Sequence, residues 1–504
     1  LLNTSFMKYQ SQGKQLTIDD FRSSLEHLPK SNRWIRMGDE LPWGEIEKIY
    51  NSKLNNVNTG AGNKPARLVV GALIIKHKMC LSDQETIWAI QENPYMQYLL
   101  GLSEFTDQPV FDPSLFVTIR KRLDIKDLNL FTKELVKISQ DNRKSKVDKD
   151  DDSSPDDDFT DGQGRLHKGD LKIDATCSDA EVRYPTDIDL LNDGTRVLNR
   201  YIDKLCTKFD LLHPITFAKQ SRKVFLEVIK RKRKSKRLIK DAKSKMLTYL
   251  YRDIQSFTNL IAIHGSQLLD GLKCSEKRTL RAIIHVYYQQ NEMFKQDLHS
   301  CKDRIISIFQ PHIRPIVRGK SKAPTEFGAK MGVSITYGYT FIDHHSWDAY
   351  NESQDLELQI ELYQKRFGYL PRRVFADKIY LNRVNRNIMK ELDIEVMGKP
   401  LGRPPKNQAP EHQIKMAKSV SQRNEIEATF GTGKRVYRAN NIRAKLPNTA
   451  HCWTGMCYFV KNVMKFLKEL LWLLTFLIDL LENQSIISRL SKGRVGKLNN
   501  AIVG

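Results

Sequence analysis

The acidic stretch at residues 141–168 constrains the fold most, because it marks a boundary between two domains. Its first part reads DNRKSKVDKDDDSSPDDDFTDGQG and holds Ser, Pro and Gly but very few apolar residues. A segment of this composition cannot bury enough apolar surface to offset the entropy lost on ordering, which is typical of a disordered linker. A chain of 504 residues is also long enough for two or more domains. We therefore predict one domain on each side of this linker.

Residues 1–140 have the pattern of an all-helical domain. Ser82 and Glu85 form a capping-box pattern at the start of one helix, and Asp112 followed by Pro113 begins another. Three basic residues lie toward the end of that second helix: Arg120, Lys121 and Arg122. Short helices with one basic end fit a helix-turn-helix-like DNA-binding module. They equally fit a plain helical bundle with a solvated cationic face, and the sequence leaves both open.

The charge balance indicates the class of partner. Lys and Arg outnumber Asp and Glu by 82 to 59, which gives a net charge of +23 and a pI of about 9.5. Such an excess favours nucleic acid or an anionic membrane as partner. The most apolar run, Leu470 to Ile478, is far shorter than the roughly 20 residues that span a bilayer, and the N-terminus lacks a hydrophobic signal core. We expect an intracellular protein, cytoplasmic and nucleoid-associated, that does not enter the membrane.

The densest positive charge lies at Lys230 to Arg237, KRKRKSKR, within a basic helical region. Read as one helix it would be cationic on all sides, so it cannot be a core element. It either lies along a phosphate backbone or forms a solvated arm, and the charge of the whole chain favours the phosphate role. The candidate contacts are Lys230, Arg231, Lys232 and Arg233. Arg403, in a Gly-Arg-Pro sequence, is a candidate for insertion into the minor groove, although Gly-Arg-Pro is also a common turn.

Three acids stand out after the linker. Asp174 ends the short apolar strand predicted from Leu171, and Asp377 ends another that begins at Arg372. Neighbouring parallel strands would bring these two carboxylates side by side. Taken singly, an Asp at a strand end is often only a cap or turn residue.

The third acid, Glu427, lies on a predicted helix in the sequence SQRNEIEATFGTGKR. At 100° per residue, Arg423, Glu427 and Lys434 fall within about 40° of one another, whereas Glu425 points the opposite way. A surface helix with ion pairs four residues apart would show the same pattern. Together with Asp174 and Asp377, however, Glu427 would complete an oxygen-only ligand set, which favours Mg²⁺ or Mn²⁺. Two such ions can promote cleavage of a phosphodiester.

Four short motifs carry a resemblance to a known family: KIDAT from Lys172, RYPTD from Arg183, VFADKIY from Val374 and RNEIEATFGTGKR from Arg423. With RPIVRGKSKAPTEFGAK at Arg314 and the segment from Leu41 to Leu123, they resemble bacterial insertion-sequence transposases of the DDE type.

The resemblance implies an α/β fold, a ribonuclease-H-like mixed sheet with a large helical insertion, preceded by the all-helical N-terminal domain. It implies a catalytic domain at residues 169–440 with the basic insertion at about 188–310, followed by a C-terminal helical region and basic tail at 441–504. The acid triad carries over onto Asp174, Asp377 and Glu427, as ligands of two Mg²⁺ or Mn²⁺ ions. Arg423, Glu427 and Lys434 match the family's spacing, but Val420 stands where other members have Tyr.

The implied function is a DNA transposase that cuts and rejoins double-stranded DNA at the ends of its own element, with Arg423 and Lys434 contacting phosphate. Two ends must be joined, so a homodimer is expected, with the apolar group around Trp472 and Phe476 as a candidate contact. Two alternatives stay open at this point. One is a catalytically silent DNA-binding protein derived from a transposase, and the other is a stand-alone nuclease without strand transfer.

Overall fold

The structure is a computed structural model that describes residue 25 and residues 27–54, 63–147, 158–317, 325–398 and 410–471, with side chains described outside 144–147 and 410–422. The chain divides into two compact units. One contains the described residues up to Arg122 and those from Val463 onward, and the other spans Leu123–Asn462. No described helix is long and apolar enough to cross a membrane.

The N-terminal unit is helical, as predicted. Its helices are α1 (Arg33–Glu40), α2 (Trp43–Asn51), α3 (Ala66–Met79), α4 (Asp83–Glu92), α5 (Pro94–Leu99) and α6 (Leu115–Arg122). The core is built around α3, which is buried over most of its length. The predicted capping box is confirmed: the Ser82 hydroxyl accepts from the Glu85 amide at 3.2 Å, and the Glu85 carboxylate accepts from the Ser82 amide at 2.7 Å. The Asp112 carboxylate accepts from the Ser114 amide at 2.8 Å, just before α6.

A buried ion cluster ties α6 to α3 and α4. Arg120 is 6% exposed and donates to both carboxylate oxygens of Asp83, at 2.8 and 2.7 Å. The Lys76 ammonium lies 2.9 Å from the same carboxylate and is fully buried. Burial by itself would raise the pKa of Asp83, but the hydrogen bonds and charges of Arg120 and Lys76 outweigh it and hold that pKa below its ordinary value.

The second unit combines helices with a mixed sheet. Its strands are β1 (Phe159–Thr160), β2 (Leu166–His167), β3 (Asp170–Asp179), β4 (Arg314–Val317), β5 (Thr325–Thr336), β6 (Tyr339–Ser346), β7 (Arg373–Phe375) and β8 (Glu395–Met397). Its helices are α7 (Ile125–Val147), α8 (Asp187–Phe209), α9 (Ala218–Ile229), α10 (Lys236–His264), α11 (Cys274–Lys295), α12 (Asp355–Phe367), α13 (Arg383–Glu391), α14 (Pro410–Arg435) and α15 (residues 447–471, continuing past Asn462).

The sheet has the order β4-β5-β3-β7-β8, and β6 also pairs with β5. β3 and β5 run antiparallel, whereas β3, β7 and β8 run parallel to one another. The predicted hairpin joins β5 to β6 through Tyr337 and Gly338, with φ values of 53° and 76°. Positive φ at both central residues is the mark of the tight turn that matches strand twist. The mixed sheet and the helical N-terminal unit confirm the predicted fold class.

Part of the predicted linker is structured. α7 continues to Val147, beyond the predicted boundary at 140, and β1 pairs with β2 in a small hairpin. Asp161 stabilises this hairpin, because its carboxylate accepts from the amides of Gln163 and Arg165, both at 2.9 Å. Residues 148–157, the most acidic part, lie outside the described residues. The linker and the other domain boundaries stay predictions.

A helical insertion separates β3 from β4 in the chain. Helices α8 to α11 surround an apolar core of their own, which includes Leu198, Ile202, Met246, Leu250 and Ile283. This core explains why the insertion folds as a bundle beside the sheet.

The interpretation of Lys230 to Arg237 as part of one helix is wrong. Helix α9 ends at Ile229, and α10 begins at Lys236, where the Ser235 hydroxyl caps it by accepting from the Leu238 amide at 3.2 Å. Most of the basic run is therefore an exposed connection between two helices.

The two ends of the insertion meet at Asp187, the first residue of α8. One carboxylate oxygen accepts from Arg304 at 2.7 Å and from Gln290 at 3.0 Å, and the other accepts from Lys243 at 2.9 Å. Burial alone would raise the pKa of Asp187, but these cations hold it below its ordinary value. Asp187 therefore links the start of the insertion to its last turn.

Candidate active site

Asp174 and Asp377 are aligned by the register of two parallel strands. Asp170, Leu171 and Lys172 of β3 pair with Arg373, Val374 and Phe375 of β7, so partners differ by 203 in residue number. Asp174 and Asp377 differ by the same 203, two residues beyond the last pair. The prediction that parallel strands bring these two acids side by side rests on this pairing.

Asp174 lies in the middle of its strand, which corrects the prediction that it ends one. β3 continues to Asp179 because β5 pairs with it antiparallel as far as that residue. The parallel pairing with β7, by contrast, stops at Lys172. Asp174 thus lies just beyond the residues of β3 that pair with β7, while the pairing with β5 holds its backbone in place. Its side chain is half-buried.

Asp377 and Glu427 share one guanidinium. The Asp377 carboxylate accepts from Arg423 at 2.7 Å and from the amide of Lys378 at 2.7 Å. The other terminal nitrogen of Arg423 lies 3.7 Å from the Glu427 carboxylate, one helical turn along α14. The side chains of Asp377 and Glu427 are 53% and 65% exposed, so both are accessible from solvent.

The position of α14 depends on Ile426 and Glu425. Ile426 is fully buried beneath the helix, and the Glu425 carboxylate forms an ion pair with Lys172 of β3. Residues 170, 172 and 174 of β3 share one face of the sheet, since side chains alternate along a strand. Glu425 therefore attaches α14 to the same face that carries Asp174. The contact of Lys172 was not predicted, although the polar alternation of DLKID indicates that residues 170, 172 and 174 share one face.

Gly433 allows α14 to approach α15 closely. A Cβ at this position would lie 2.9 Å from a ring carbon of Tyr458, closer than real Cβ contacts. The helix also continues to Arg435 despite Gly431 and Gly433, so Lys434 lies in its last turn, half-buried. Gly433, which would weaken the helix in isolation, therefore serves the packing of α14 against α15.

The donor chemistry of the three acids suits a hard divalent cation. Asp174, Asp377 and Glu427 offer carboxylate oxygens only, and the exposure of Asp377 and Glu427 leaves room for the water ligands that Mg²⁺ retains. Within the described part of the chain, no group of three or more His, Cys, Asp or Glu side chains lies close enough to hold a metal as it stands. Arg423 places a positive charge next to Asp377.

The other candidate DNA contacts differ in accessibility. Lys230 to Arg233 are all exposed, as is Lys121, and Arg122 is half-buried. The assignment of Arg120 to DNA binding is corrected, because its guanidinium is buried and bound to Asp83. Arg403 lies outside the described residues.

Comparisons with known proteins match two parts of the chain. The family described as "Transposase domain (DUF772)" matches residues 22–122, and the family described as "Transposase DDE domain" matches residues 374–464. A Rhizobium meliloti protein, "Uncharacterized protein ORF8 in nfe locus", is 30% identical over 130 residues. That match covers 26% of this chain and 58% of the relative, so the chain spans little more than half of the relative's length. No solved structure matches at a significant level.

The first family covers the helices of the N-terminal unit, and the second begins in β7 and includes Asp377, Arg423 and Glu427. The matched regions thus agree with the mixed sheet and with the motifs from Val374 and Arg423. The two family matches, which together cover less than half of the chain, support its assignment as an insertion-sequence transposase of the DDE type.

Proposed function

We propose that this chain catalyses metal-dependent cleavage and strand transfer at the ends of an insertion sequence, acting on double-stranded DNA in the cytoplasm. The alignment of Asp174 with Asp377 by the β3–β7 register is the observation that carries the proposal. The Arg423 guanidinium, which contacts Asp377 and lies close to Glu427, supports a place for Glu427 in the same site.

The three carboxylates hold the metal ions in this proposal. When bound, two Mg²⁺ or Mn²⁺ ions supply Lewis-acid polarisation of the scissile phosphate and stabilisation of the leaving oxygen. Arg423 and Lys434 bind the phosphate, and the ion pair between Lys172 and Glu425 keeps α14 against the sheet. In cleavage, a water oxygen forms a bond to the phosphorus at the element end and gives up a proton, while the bond from that phosphorus to the 3′ oxygen breaks. The 3′ oxygen takes up a proton, so a 3′ hydroxyl and a 5′ phosphate result. In strand transfer, that 3′ hydroxyl loses its proton and forms a new bond to a target phosphorus, while the target strand's own P–O bond breaks.

Conservative substitution of the triad tests this assignment. Asp174→Asn, Asp377→Asn and Glu427→Gln should each abolish nicking and joining of element-end DNA in the presence of Mg²⁺, because each removes an anionic ligand. Binding of the same DNA should persist, since no cation is lost. Near-normal cleavage by any one variant would remove that residue from the site. Joined products from the unmodified chain are required, because nicking without joining would indicate a stand-alone nuclease.

Glu425→Gln is the matched control. It lies two residues from Glu427 on the same helix, and its partner is Lys172 rather than an acid of the triad. The substitution costs an ion pair between partly exposed groups, on the order of 1 kcal/mol or less. Because Glu425→Gln removes no ligand of the proposed metal ions, it should reduce cleavage far less than the triad substitutions do, although α14 loses one contact with the sheet. If the unmodified chain binds DNA but never cleaves it, the catalytically silent DNA-binding alternative holds.

A further inference from the structure

The loop at residues 211–216, between α8 and α9, exposes two large aliphatic side chains. Leu212 is 95% exposed and Ile215 is 80% exposed. An isolated exposed aliphatic residue is ordinary, but two of them on one short loop form an apolar projection that contributes nothing to the core of the insertion.

The loop holds these side chains outward because both of its ends are fixed. The Phe217 amide donates to the buried carboxylate of Asp253 at 2.8 Å, and the Ser256 hydroxyl donates to the carbonyl of Ile215 at 3.2 Å. The His213 ring is also hydrogen-bonded to the carboxylate of Asp203 of α8. A loop anchored in this way cannot turn inward to bury Leu212 and Ile215, so their exposure is built into its backbone.

Aromatic packing adds to the rigidity at the start of α9. The Phe217 ring stacks on Tyr249 of α10, with centroids 5.7 Å apart and the planes 7° from parallel. The guanidinium of Arg252 lies 5.2 Å from the centroid of the same ring. The loop is therefore attached to α10 by backbone, side-chain and ring contacts together.

The neighbouring surface identifies the class of partner. Residues 218–245 hold thirteen Lys and Arg residues but only two acids. Lys219, Arg222 and Lys223 are exposed in the first turns of α9, directly after the loop. The twelve residues of α9 span about 18 Å, so the basic connection from Lys230 lies roughly half a DNA turn from the loop. A polyanion complements this surface, whereas a second copy of the same face would bring like charge against it.

We propose that the 211–216 loop is a wedge that inserts Leu212 and Ile215 between base pairs from the minor groove, while the basic residues of α9 and the 230–235 connection hold the adjoining phosphates. This inference rests on the proposed function, because it takes DNA as the partner. Apolar side chains inserted in this way unstack a base step and kink the duplex. The insertion is then a bending element that prepares the element end for the active site.

The test uses a 40-base-pair, A·T-rich duplex with a donor and an acceptor fluorophore at its two ends. Binding of the full chain should increase energy transfer, because a kink brings the duplex ends together. The double variant Leu212→Ser, Ile215→Ser should bind about tenfold more weakly and give no increase in transfer. Its slope of log affinity against log salt should stay unchanged, because no cation has been removed. Both side chains are solvent-exposed, so the variant keeps its packing and its thermal midpoint.

The matched control is Ile263→Ser, which removes an aliphatic side chain that is 76% exposed near the end of α10 in the same insertion. It should bind and bend the duplex normally.

Unchanged bending and affinity in the loop variant would overturn the wedge. So would a variant that changes only self-association, measured by sedimentation, which would assign the loop to a second copy. If the unmodified chain cuts and joins DNA, and the loop variant still bends the duplex, the wedge is refuted and the proposed function is not. A chain that binds no duplex refutes both proposals.

Discussion

At the residue scale, the ion cluster of Asp83, Arg120 and Lys76 is the most sensitive point of the N-terminal unit. Two cations there share one carboxylate, and both are almost fully buried. Removing one partner of a buried ion pair is strongly destabilising, because the other charge stays buried without a counter-ion. The intact pair, by contrast, adds little stability compared with well-packed apolar side chains in its place. The stability of the unit therefore depends on the presence of the Asp83 carboxylate rather than on the number of ion pairs.

Asp83→Asn should destabilise the N-terminal unit by about 3 kcal/mol, since it leaves Arg120 and Lys76 buried without an anion. Hydrogen exchange of the amides of α3 and α6 should accelerate accordingly. Lys121→Gln, which changes the exposed neighbour of Arg120, should leave exchange unaffected. Because the pKa of Asp83 is lowered on folding, its contribution is complete above its unfolded pKa of about 4 and is lost as the pH falls below that value. Equal exchange in both variants would contradict the structural role of Arg120.

The contacts of a side chain were predictable where its partner is close in the sequence. Ser82 and Glu85 cap each other three residues apart, so a local pattern was sufficient. The burial of Arg120 was not predictable, because its partner Asp83 is 37 residues away and no local rule relates the two. For the same reason the sequence predicted the helical face on which Glu425 lies, but not its ion pair with Lys172.

At the element scale, the exposed connection from Lys230 to Ser235 changes how the basic run can act. A connection between two helices can follow a curved phosphate backbone, which a straight helix cannot. The Ser235 cap was a local signal for the start of α10, but the uniform charge on both sides of it obscured the break. The full length of β3 was unpredictable from its own sequence, because pairing with β5, some 150 residues later, holds its second half.

Replacing Lys230, Arg231, Lys232 and Arg233 with Gln should weaken binding to all DNA sequences alike. The slope of log affinity against log salt should fall by about 0.9 for each phosphate contact that is lost. Lys277→Gln, which removes a cation paired with Asp270 elsewhere on the insertion, serves as the control. An unaltered slope in the fourfold variant would indicate a solvated arm.

At the scale of the whole molecule, the proposed joining of two element ends would need one active site at each end, and each chain offers one proposed set of Asp174, Asp377 and Glu427. We expect at least two copies of the chain on paired end DNA, and native mass measurement of that complex decides the number. A strictly monomeric complex that still joins paired ends would contradict this expectation. The apolar group around Trp472 and Phe476, the candidate contact, lies outside the described residues. Alanine at both positions should shift the complex toward one copy per end.

The link between Asp187 and Arg304 also has a consequence for how the chain folds. β3 and β5 are neighbours in the sheet, but the whole insertion separates them in the chain, so their contact order is high and their direct pairing is slow. If the insertion folds first around its own core, Asp187 and Arg304 bring its two ends together. The conformational entropy that is lost when the two ends come together has then already been lost before β3 and β5 pair. The insertion would thus act as a folding nucleus for the catalytic sheet, and Asp187→Asn should slow the appearance of the sheet more than that of the helices.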